Sequence, residues 1–422
     1  MGPQLVQFTR PQSSRAGRDA VSALCQGVFE PLPRADQRRK AELYVRGLLT
    51  ARGRKTMRNI AAHAGMPAGE QSLHHFISCS TWDWRPVRVN LAAQLDALLN
   101  LRAWVVKPMV IPKSGAHSVG VERRFDAGSG HMVTGQQAFG MWAVSEETSV
   151  PVSWALHLPD ETTLAGCAAR AVLDLAETRT LPRLPVVVDA VEGGAETVPA
   201  HLAAAGLPFL MEVAPGTPVQ VTDPQLPGAA AEVSTAGHVV DVAGALRRPV
   251  RYEDRGDRSV HTGFVAALRV ELPEPAAGPR RRTRTRRPLL LVGEWTDARR
   301  RPERYWLTDM VTAPPALLMR LAHLSRRIES GATDQSDRVG MRDFEGRSFQ
   351  GWHRHVTLAS AAHAAAALNA RQSEVRQTER MAAAGGAWSG APVFAGGGGG
   401  GQGLAAATGF GGYASAARRC SA

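Results

Sequence analysis

The residues best placed to do chemistry are two acids, Asp189 and Glu329. Asp189 ends the apolar run of LPVVVDAVEGG and meets glycines, a position where a carboxylate can be catalytic and where Asp is also a common strand-exit residue. Glu329 lies in RRIESG, on a polar helical pattern where a carboxylate is usually solvated. From the residues alone, a catalytic role and an ordinary structural role both stay open for each acid.

Basic residues offer a second kind of chemistry, which is contact with phosphate. The stretch WVVKPMVIPKSGAHSVGVERRF begins like a buried strand, carries Lys107 where that strand ends, and turns into a loop with Lys113 and His117. Further on, HRH occupies 353–355 and RRRTRTRR occupies 280–287. In a nucleic-acid-binding protein such residues contact the backbone. The alternative is a set of solvated loops and an ordinary helix face.

The apolar periodicity places these residues on an α/β scaffold. Residues 35–99 have helical spacing, and KTMRNIAAHAG followed by EQSLHHFIS is compatible with a helix-turn-helix DNA reader and with an ordinary helical bundle. From 102 to 160, β-rich segments follow one another, and strands then alternate with helices. This order predicts a mixed sheet with helices on both sides.

Changes in composition divide the chain further. Short strands with turn residues between them predict a β-rich insertion, and GGAWSGAPVFAGGGGGGQG is low-complexity sequence to which no fold is assigned. The predicted organisation is a flexible leader (1–33), a helical region that is a candidate DNA-binding segment (34–100), a first part of the core (101–213), the insertion (214–312), a helical part of the core (313–371) and a tail (372–422).

The charge balance favours a polyanionic partner, nucleic acid first. The formal net charge is +12 and the pI is about 10.4. Only four of the 50 basic residues are lysines, however, and GC-rich coding alone also produces such a composition. The four cysteines lie far apart without zinc-binding spacing, so neither a structural metal nor a disulfide framework is expected. With no signal pattern and no apolar stretch of spanning length, we expect a cytoplasmic protein.

Four stretches carry a resemblance to a known family: QSLHHFISCSTWDWRPVR, IPKSGAHSVGV, LPVVVDAVEGG and RDFEGRSFQGWHRHVTLASAAHA. Together they resemble the DDE transposases of bacterial insertion sequences, in the β-strand insertion subgroup numbered seven-zero-one, over roughly residues 40–370. The resemblance implies an RNase-H-like mixed sheet flanked by helices. It also implies three carboxylates that hold two Mg²⁺ ions about 3.5–4 Å apart for in-line attack on DNA phosphodiesters.

The resemblance also assigns positions to the three acids. The first falls at Lys107, the second at Asp189 and the third at Glu329. Any metal would therefore be held by Asp189 and Glu329. An ammonium cannot ligate Mg²⁺, and a like-charge contact at 4 Å costs about 4 kcal/mol at an effective dielectric near 20.

The phosphate-gripping residues of the family are missing at the matching positions. Its Arg falls at Ser325 and its Lys at Ser336, with Arg326 and Arg327 as off-register substitutes. The residues predicted to contact DNA are Lys113, His117, Arg326, Arg327, Arg280, Arg281 and Arg282.

These positions predict a degenerate or repurposed transposase that retains the fold and an affinity for DNA. Its partners would be the element ends and target DNA at the nucleoid, and it would be a homo-oligomer if active. A rival interpretation is an active enzyme that recruits another acid, such as Glu122 or Asp126. A third is a regulatory or interaction scaffold with no role on DNA. Mg²⁺ is the cofactor expected of the family, although it need not bind to this chain.

Overall fold

The computed structural model describes residues 15–66, 68–115, 117–126, 130–177, 182–189, 191–226, 232–253, 259–273, 288–328 and 333–386. It divides the chain into one unit that ends at Gln372 and a second that begins at Ser373, and all contacts discussed below lie in the first. The helices are α1 (Arg15–Phe29), α2 (Ala35–Thr50), α3 (Met57–His63), α4 (Glu70–Ser78), α5 (Arg85–Leu98), α6 (Leu164–Ala176), α7 (Gly194–Ala204), α8 (Ala236–Val242), α9 (Pro315–Arg327), α10 (Thr333–Arg338) and α11 (Phe349–Gly386).

The strands of the described residues form one mixed sheet. They are β1 (Leu101–Pro112), β2 (Val121–Asp126), β3 (His131–Ser145), β4 (Ser149–Leu156), β5 (Val186–Val188), β6 (Phe209–Val213), β7 (Pro218–Val221), β8 (Val233–Thr235), β9 (Arg248–Glu253), β10 (Val260–Glu271), β11 (Leu289–Trp295) and β12 (Arg304–Thr308).

Five of these strands give the sheet its RNase-H-like core. Their order is β4-β3-β1-β5-β6, with β3 antiparallel to both of its neighbours and with β1, β5 and β6 parallel to one another. The parallel pairs are reached through crossover helices, α6 before β5 and α7 before β6. The predicted fold class is therefore confirmed. The carboxyl ends of β1, β5 and β6 share one edge of this sheet.

The β-rich segment widens the same sheet. β12 pairs with β6, and the order continues through β11 and β10 to β7 and β8, while β9 pairs with the other half of β10. After β12 the chain enters α9, which packs near β1 and β5. The insertion therefore separates, in sequence, elements that meet in space.

The helical region before the sheet includes part of the predicted flexible leader. Residues 15–29 form α1, and Leu24, Cys25 and Val28 are buried against the core at helical spacing. The leader prediction is corrected for these residues, because their apolar period is that of an amphipathic helix. Residues 373–386, within the predicted tail, are also helical.

The first half of α11 runs through the interior of the unit. Every residue from 351 to 365 is buried, which is the pattern of a helix covered on all sides. Its neighbours include α2, α5 and β4. None of the described helices is long and apolar enough to cross a membrane.

Candidate functional site

Lys107 and Asp189 meet at the carboxyl edge of the parallel strands. Val106 of β1 lies beside Val188 of β5, so Asp189 follows β5 at the level of Lys107, and its N–H donates to the Val106 carbonyl (3.3 Å). Lys107 Nζ lies 2.8 Å from Asp189 Oδ2. The two side chains are only 8% and 16% exposed. This contact is a largely buried ion pair between adjacent parallel strands.

Ser325 of α9 binds the second oxygen of the same carboxylate. Its Oγ donates to Asp189 Oδ1 at 2.7 Å, and Ser325 is fully buried. Each oxygen of Asp189 thus has a close donor, an ammonium on one side and a hydroxyl on the other. This arrangement neutralises and orients the carboxylate, and a charge-assisted hydrogen bond of this length is a strong one.

The described residues around Asp189 do not fit a pair of divalent cations. Lys107 supplies only donors, and its Nζ already contacts Asp189 Oδ2, an oxygen that a cation at Asp189 would need. No group of three or more His, Cys, Asp or Glu side chains with metal-binding geometry occurs within the part of the chain that the structure describes. Glu329, the predicted third acid, lies outside the described residues.

The substitute acid Glu122 lies on the far side of the sheet's antiparallel half. Glu122 pairs with Gly135 of β3, and Gly135 pairs with Pro112 of β1. Glu122 therefore lies two strands away from β1, level with a residue five positions beyond Lys107. Ordinary strand geometry puts its Cα roughly 19 Å from that of Lys107. Glu122 instead contacts Arg124 and lies 3.6 Å from His157 Nδ1. The structure therefore does not bring it to Asp189. Asp126 is farther still along β2, and its side chain is not among those described.

The two arginines expected to replace the family's phosphate grip are bound within the protein. Arg326 Nη1 donates to Glu294 Oε1 (2.7 Å), and its Nη2 donates to the Tyr252 hydroxyl (3.2 Å). Burial alone would lower the pKa of Arg326, but the Glu294 carboxylate raises it. Arg327 donates to the Glu146 carbonyl. These contacts anchor the end of α9, and the contact of the two arginines with phosphate stays a prediction.

The loop after β1 keeps its basic side chains near solvent. His117 is exposed, and Lys113 is half-buried with its Nζ on the Phe344 carbonyl at 2.6 Å. Burial, and after it the charge of Arg54, lowers the pKa of Lys113. The predicted contacts Arg280, Arg281 and Arg282 lie outside the described residues.

The HRH motif is a core element and not a phosphate contact. His353, Arg354 and His355 are all buried. Arg354 donates to the carbonyls of Ile77 and Trp82, each at 3.1 Å. Arg354 therefore ties α11 to the last turn of α4 and to the loop that follows it. The neighbouring stretch LASAAHAAAALNA has no polar face, and that signal in the sequence already points to a buried helix.

A buried arginine that sequence reasoning missed completes this network. Arg88 of α5 is 1% exposed and donates to Thr357 Oγ1 (2.8 Å), the Trp154 carbonyl (2.7 Å) and His353 Nδ1 (2.9 Å). The structure shows no carboxylate bound to its guanidinium among the described residues, and burial lowers the pKa of Arg88 to about 9. Since Arg can only donate, His353 Nδ1 accepts and the imidazole is neutral.

Comparison with known proteins gives one extensive match. A family model described as "DDE superfamily endonuclease" matches residues 27–254, more than half of the chain. No significant match occurs among curated proteins.

Among solved structures, the chain is similar to the piggyBac transposase in a synaptic complex with hairpin DNA, with 11% identity, 87% of this chain and 70% of that chain covered, and a TM-score of 0.34. It is also similar to the Mos1 strand transfer complex, with 13% identity, 50% and 60% covered, and a TM-score of 0.16. The strand order described above, rather than these low overall similarities, defines the fold.

Proposed function

Because the chain belongs to the DDE superfamily of endonucleases, we propose that it is a DNA-binding protein of the insertion-sequence transposase type whose strand cleavage is silenced by the Lys107–Asp189 ion pair. Its partners are the ends of a mobile element and target DNA, met in the cytoplasm at the nucleoid. By the resemblance, the acids of the site are Asp189 and Glu329, and Lys107 stands where the first of the three acids is expected.

The single observation that carries this proposal is the 2.8 Å contact between Lys107 Nζ and Asp189 Oδ2. A dication that binds Asp189 must first displace this ammonium. Breaking a buried ion pair by removing one partner costs about 3–5 kcal/mol. At about 1.4 kcal/mol for each factor of ten, this cost weakens metal binding by about two to three and a half orders of magnitude. Mg²⁺ at ordinary concentrations would then leave the pair intact.

Nicking of supercoiled DNA tests the proposal. The native protein, Lys107→Asp and Asp189→Ala are each incubated with plasmid and Mg²⁺ or Mn²⁺. We expect no metal-dependent nicking by the native protein or by Asp189→Ala. Activity that appears in Lys107→Asp would show that this one position silences the site. Cleavage by the native protein that disappears in Asp189→Ala would contradict the proposal and favour an active enzyme.

Metal binding can be read without activity. Thermal unfolding of the native protein should not respond to millimolar Mn²⁺. Lys107→Asp should be stabilised as Mn²⁺ is added, because a ligand bound only to the folded state raises the unfolding free energy. The matched control is Lys55→Asp, which makes the same charge change at another buried lysine. The Nζ of Lys55 donates to the Ala51 carbonyl and does not contact Asp189. A Mn²⁺ response of the native protein equal to that of Lys107→Asp would overturn the proposed blocking role of the ammonium.

A further inference from the structure

Three loops that are distant in sequence converge beyond the end of β1. They are residues 51–56 between α2 and α3, residues 113–115 and 117–119 after β1, and residues 339–348 before α11. Lys55 N donates to Asp343 Oδ2 (2.8 Å), Lys113 Nζ donates to the Phe344 carbonyl (2.6 Å), and Val119 N donates to the Arg347 carbonyl (3.2 Å). We call this the three-loop surface. The third loop holds the other two together through its backbone and Asp343.

The three-loop surface is strongly basic. Its segments contain six Lys or Arg residues against two acids, Asp343 and Glu345. The six are Arg52, Arg54, Lys55, Lys113, Arg342 and Arg347. Arg52, Arg54 and Arg347 are exposed, as is His117. The Arg54–Glu345 contact spans 4.0 Å between exposed side chains, so it offsets little of this charge.

The charges of this surface are not fully compensated within the protein. Arg342 is paired with Asp337 Oδ1 at 3.0 Å, so the charge that remains open to solvent comes from the exposed Arg52, Arg54 and Arg347. Burial, and next the charge of Arg54, lowers the pKa of Lys113, while the acids Asp343 and Glu345 offset part of that repulsion. An anion placed between the loops would relieve that repulsion.

The backbone of the surface is also suited to an anion. α11 begins at Phe349, directly after the third loop, and has no acidic residue in its first turn. Ser348 Oγ caps it by accepting the Gly351 N–H at 3.1 Å, so the helix adds a positive field here rather than a set of open donors. A Cβ added at Gly53 or Gly115 would meet nothing within 4 Å, so both backbones are open to a close approach.

We propose that the three-loop surface binds the phosphate backbone of duplex DNA. The proposal rests on the proposed function, because it assigns the DNA-binding face of the same protein. β1 extends five residues past Lys107 to Pro112, so the surface lies roughly 17 Å beyond the Lys107–Asp189 pair on the same edge of the sheet. The contact reads charge and not base sequence.

The test measures the salt dependence of binding to a fluorescent 30-base-pair duplex. The surface variant is Arg52→Ser, Arg54→Ser and Arg347→Ser combined. The matched control is Arg299→Ser, Arg300→Ser and Arg301→Ser, which removes three exposed arginines from the turn between β11 and β12. The slope of log K against log salt is negative, and each lost phosphate contact makes it shallower by about 0.9. We expect the magnitude of the slope to fall by about 1 to 3 in the surface variant and to stay near the native value in the control.

The outcomes separate this inference from the proposed function. If the native protein binds DNA and the two triple variants change it equally, the three-loop surface is not the DNA contact, and the proposed function stands. If the native protein shows no salt-sensitive binding, both fail. Thermal unfolding of both triple variants should match the native protein, since all six side chains are exposed, so a change in slope cannot come from loss of the fold.

Discussion

Two regions of this molecule bury positive charge, and they do so in different ways. At the sheet edge, Lys107 is paired with the carboxylate of Asp189, and Ser325 binds the remaining oxygen. In the interior, the acceptors of Arg88 among the described residues are neutral: the carbonyls of Trp154 and His353, the hydroxyl of Thr357 and the imidazole of His353. The first region places an ion pair at the edge of the parallel strands, where the resemblance expects a catalytic carboxylate. The second holds helices together.

This difference shows that the role of a basic residue near a family motif has to be inferred from the groups that it contacts. Lys107 contacts the carboxylate of Asp189, and the proposed function rests on that contact. Arg88 and Arg354 are buried and donate to backbone carbonyls of other elements, so they act on packing. Leaving a polar group without its hydrogen-bond partner costs most free energy of unfolding in the interior around Arg88, because both the cation and its acceptors are deeply buried there.

The largest effect should come from Arg88→Met. This change keeps the apolar volume but leaves the Trp154 carbonyl and His353 Nδ1 without their donor. We expect the free energy of unfolding to fall by about 2–6 kcal/mol, which is about 1–3 kcal/mol for each of the two orphaned acceptors. Urea denaturation measures it, with Arg85→Met, an exposed arginine of the same helix, as the control. Equal losses in both variants would erase the distinction drawn between the two regions.

A smaller effect is expected in the pH dependence of stability. Burial lowers the pKa of His355 to about 4, and it lowers the pKa of His353 as well. The unfolded chain takes up these protons near pH 6.5, before the folded protein does, so the unfolding free energy falls as pH is lowered from about 6.5 to 4. Each histidine contributes up to about 1.4 kcal/mol per pH unit in that window.

His355→Gln isolates one of the two contributions. Unfolding free energies of the native protein and the variant, measured from pH 7 to 4.5, should converge as pH falls, because the variant lacks one protonation. In the native protein Nε2 donates to the Gly340 carbonyl and Nδ1 accepts from the Tyr44 hydroxyl, so the neutral form is the one that fits. His74→Gln, at an exposed position of α4, should leave the profile as it is. Parallel curves for native protein and His355→Gln would mean that this network does not set the pH response.

The sequence predicted the fold, and the family resemblance assigned Lys107 and Asp189 to one site. In the structure Val106 and Val188 pair across the parallel strands β1 and β5, so the residues that follow them lie side by side, although β1 itself continues to Pro112. Ser325 could not be foreseen as a partner of Asp189, because 136 positions and the whole insertion separate them. The roles of Arg326 and HRH were missed because charge alone was taken as exposure. Their burial depends on Glu294 and on carbonyls of distant elements, which no local pattern reports.

Ser325→Ala should have the smallest effect on stability. It tests most directly how the carboxylate of Asp189 is held at the sheet edge. The change removes the donor to Asp189 Oδ1 and leaves the Lys107 contact in place, so about 1–2 kcal/mol of unfolding free energy should be lost. Ser72→Ala, at a half-buried serine in α4, serves as the control, because both changes share the helix-propensity gain of alanine. Repeating Ser325→Ala in the Asp189→Ala background should cost much less, since the acceptor is already gone. If Ser325→Ala costs the same in both backgrounds, the hydroxyl does not support the carboxylate, and Asp189 is held by Lys107 alone.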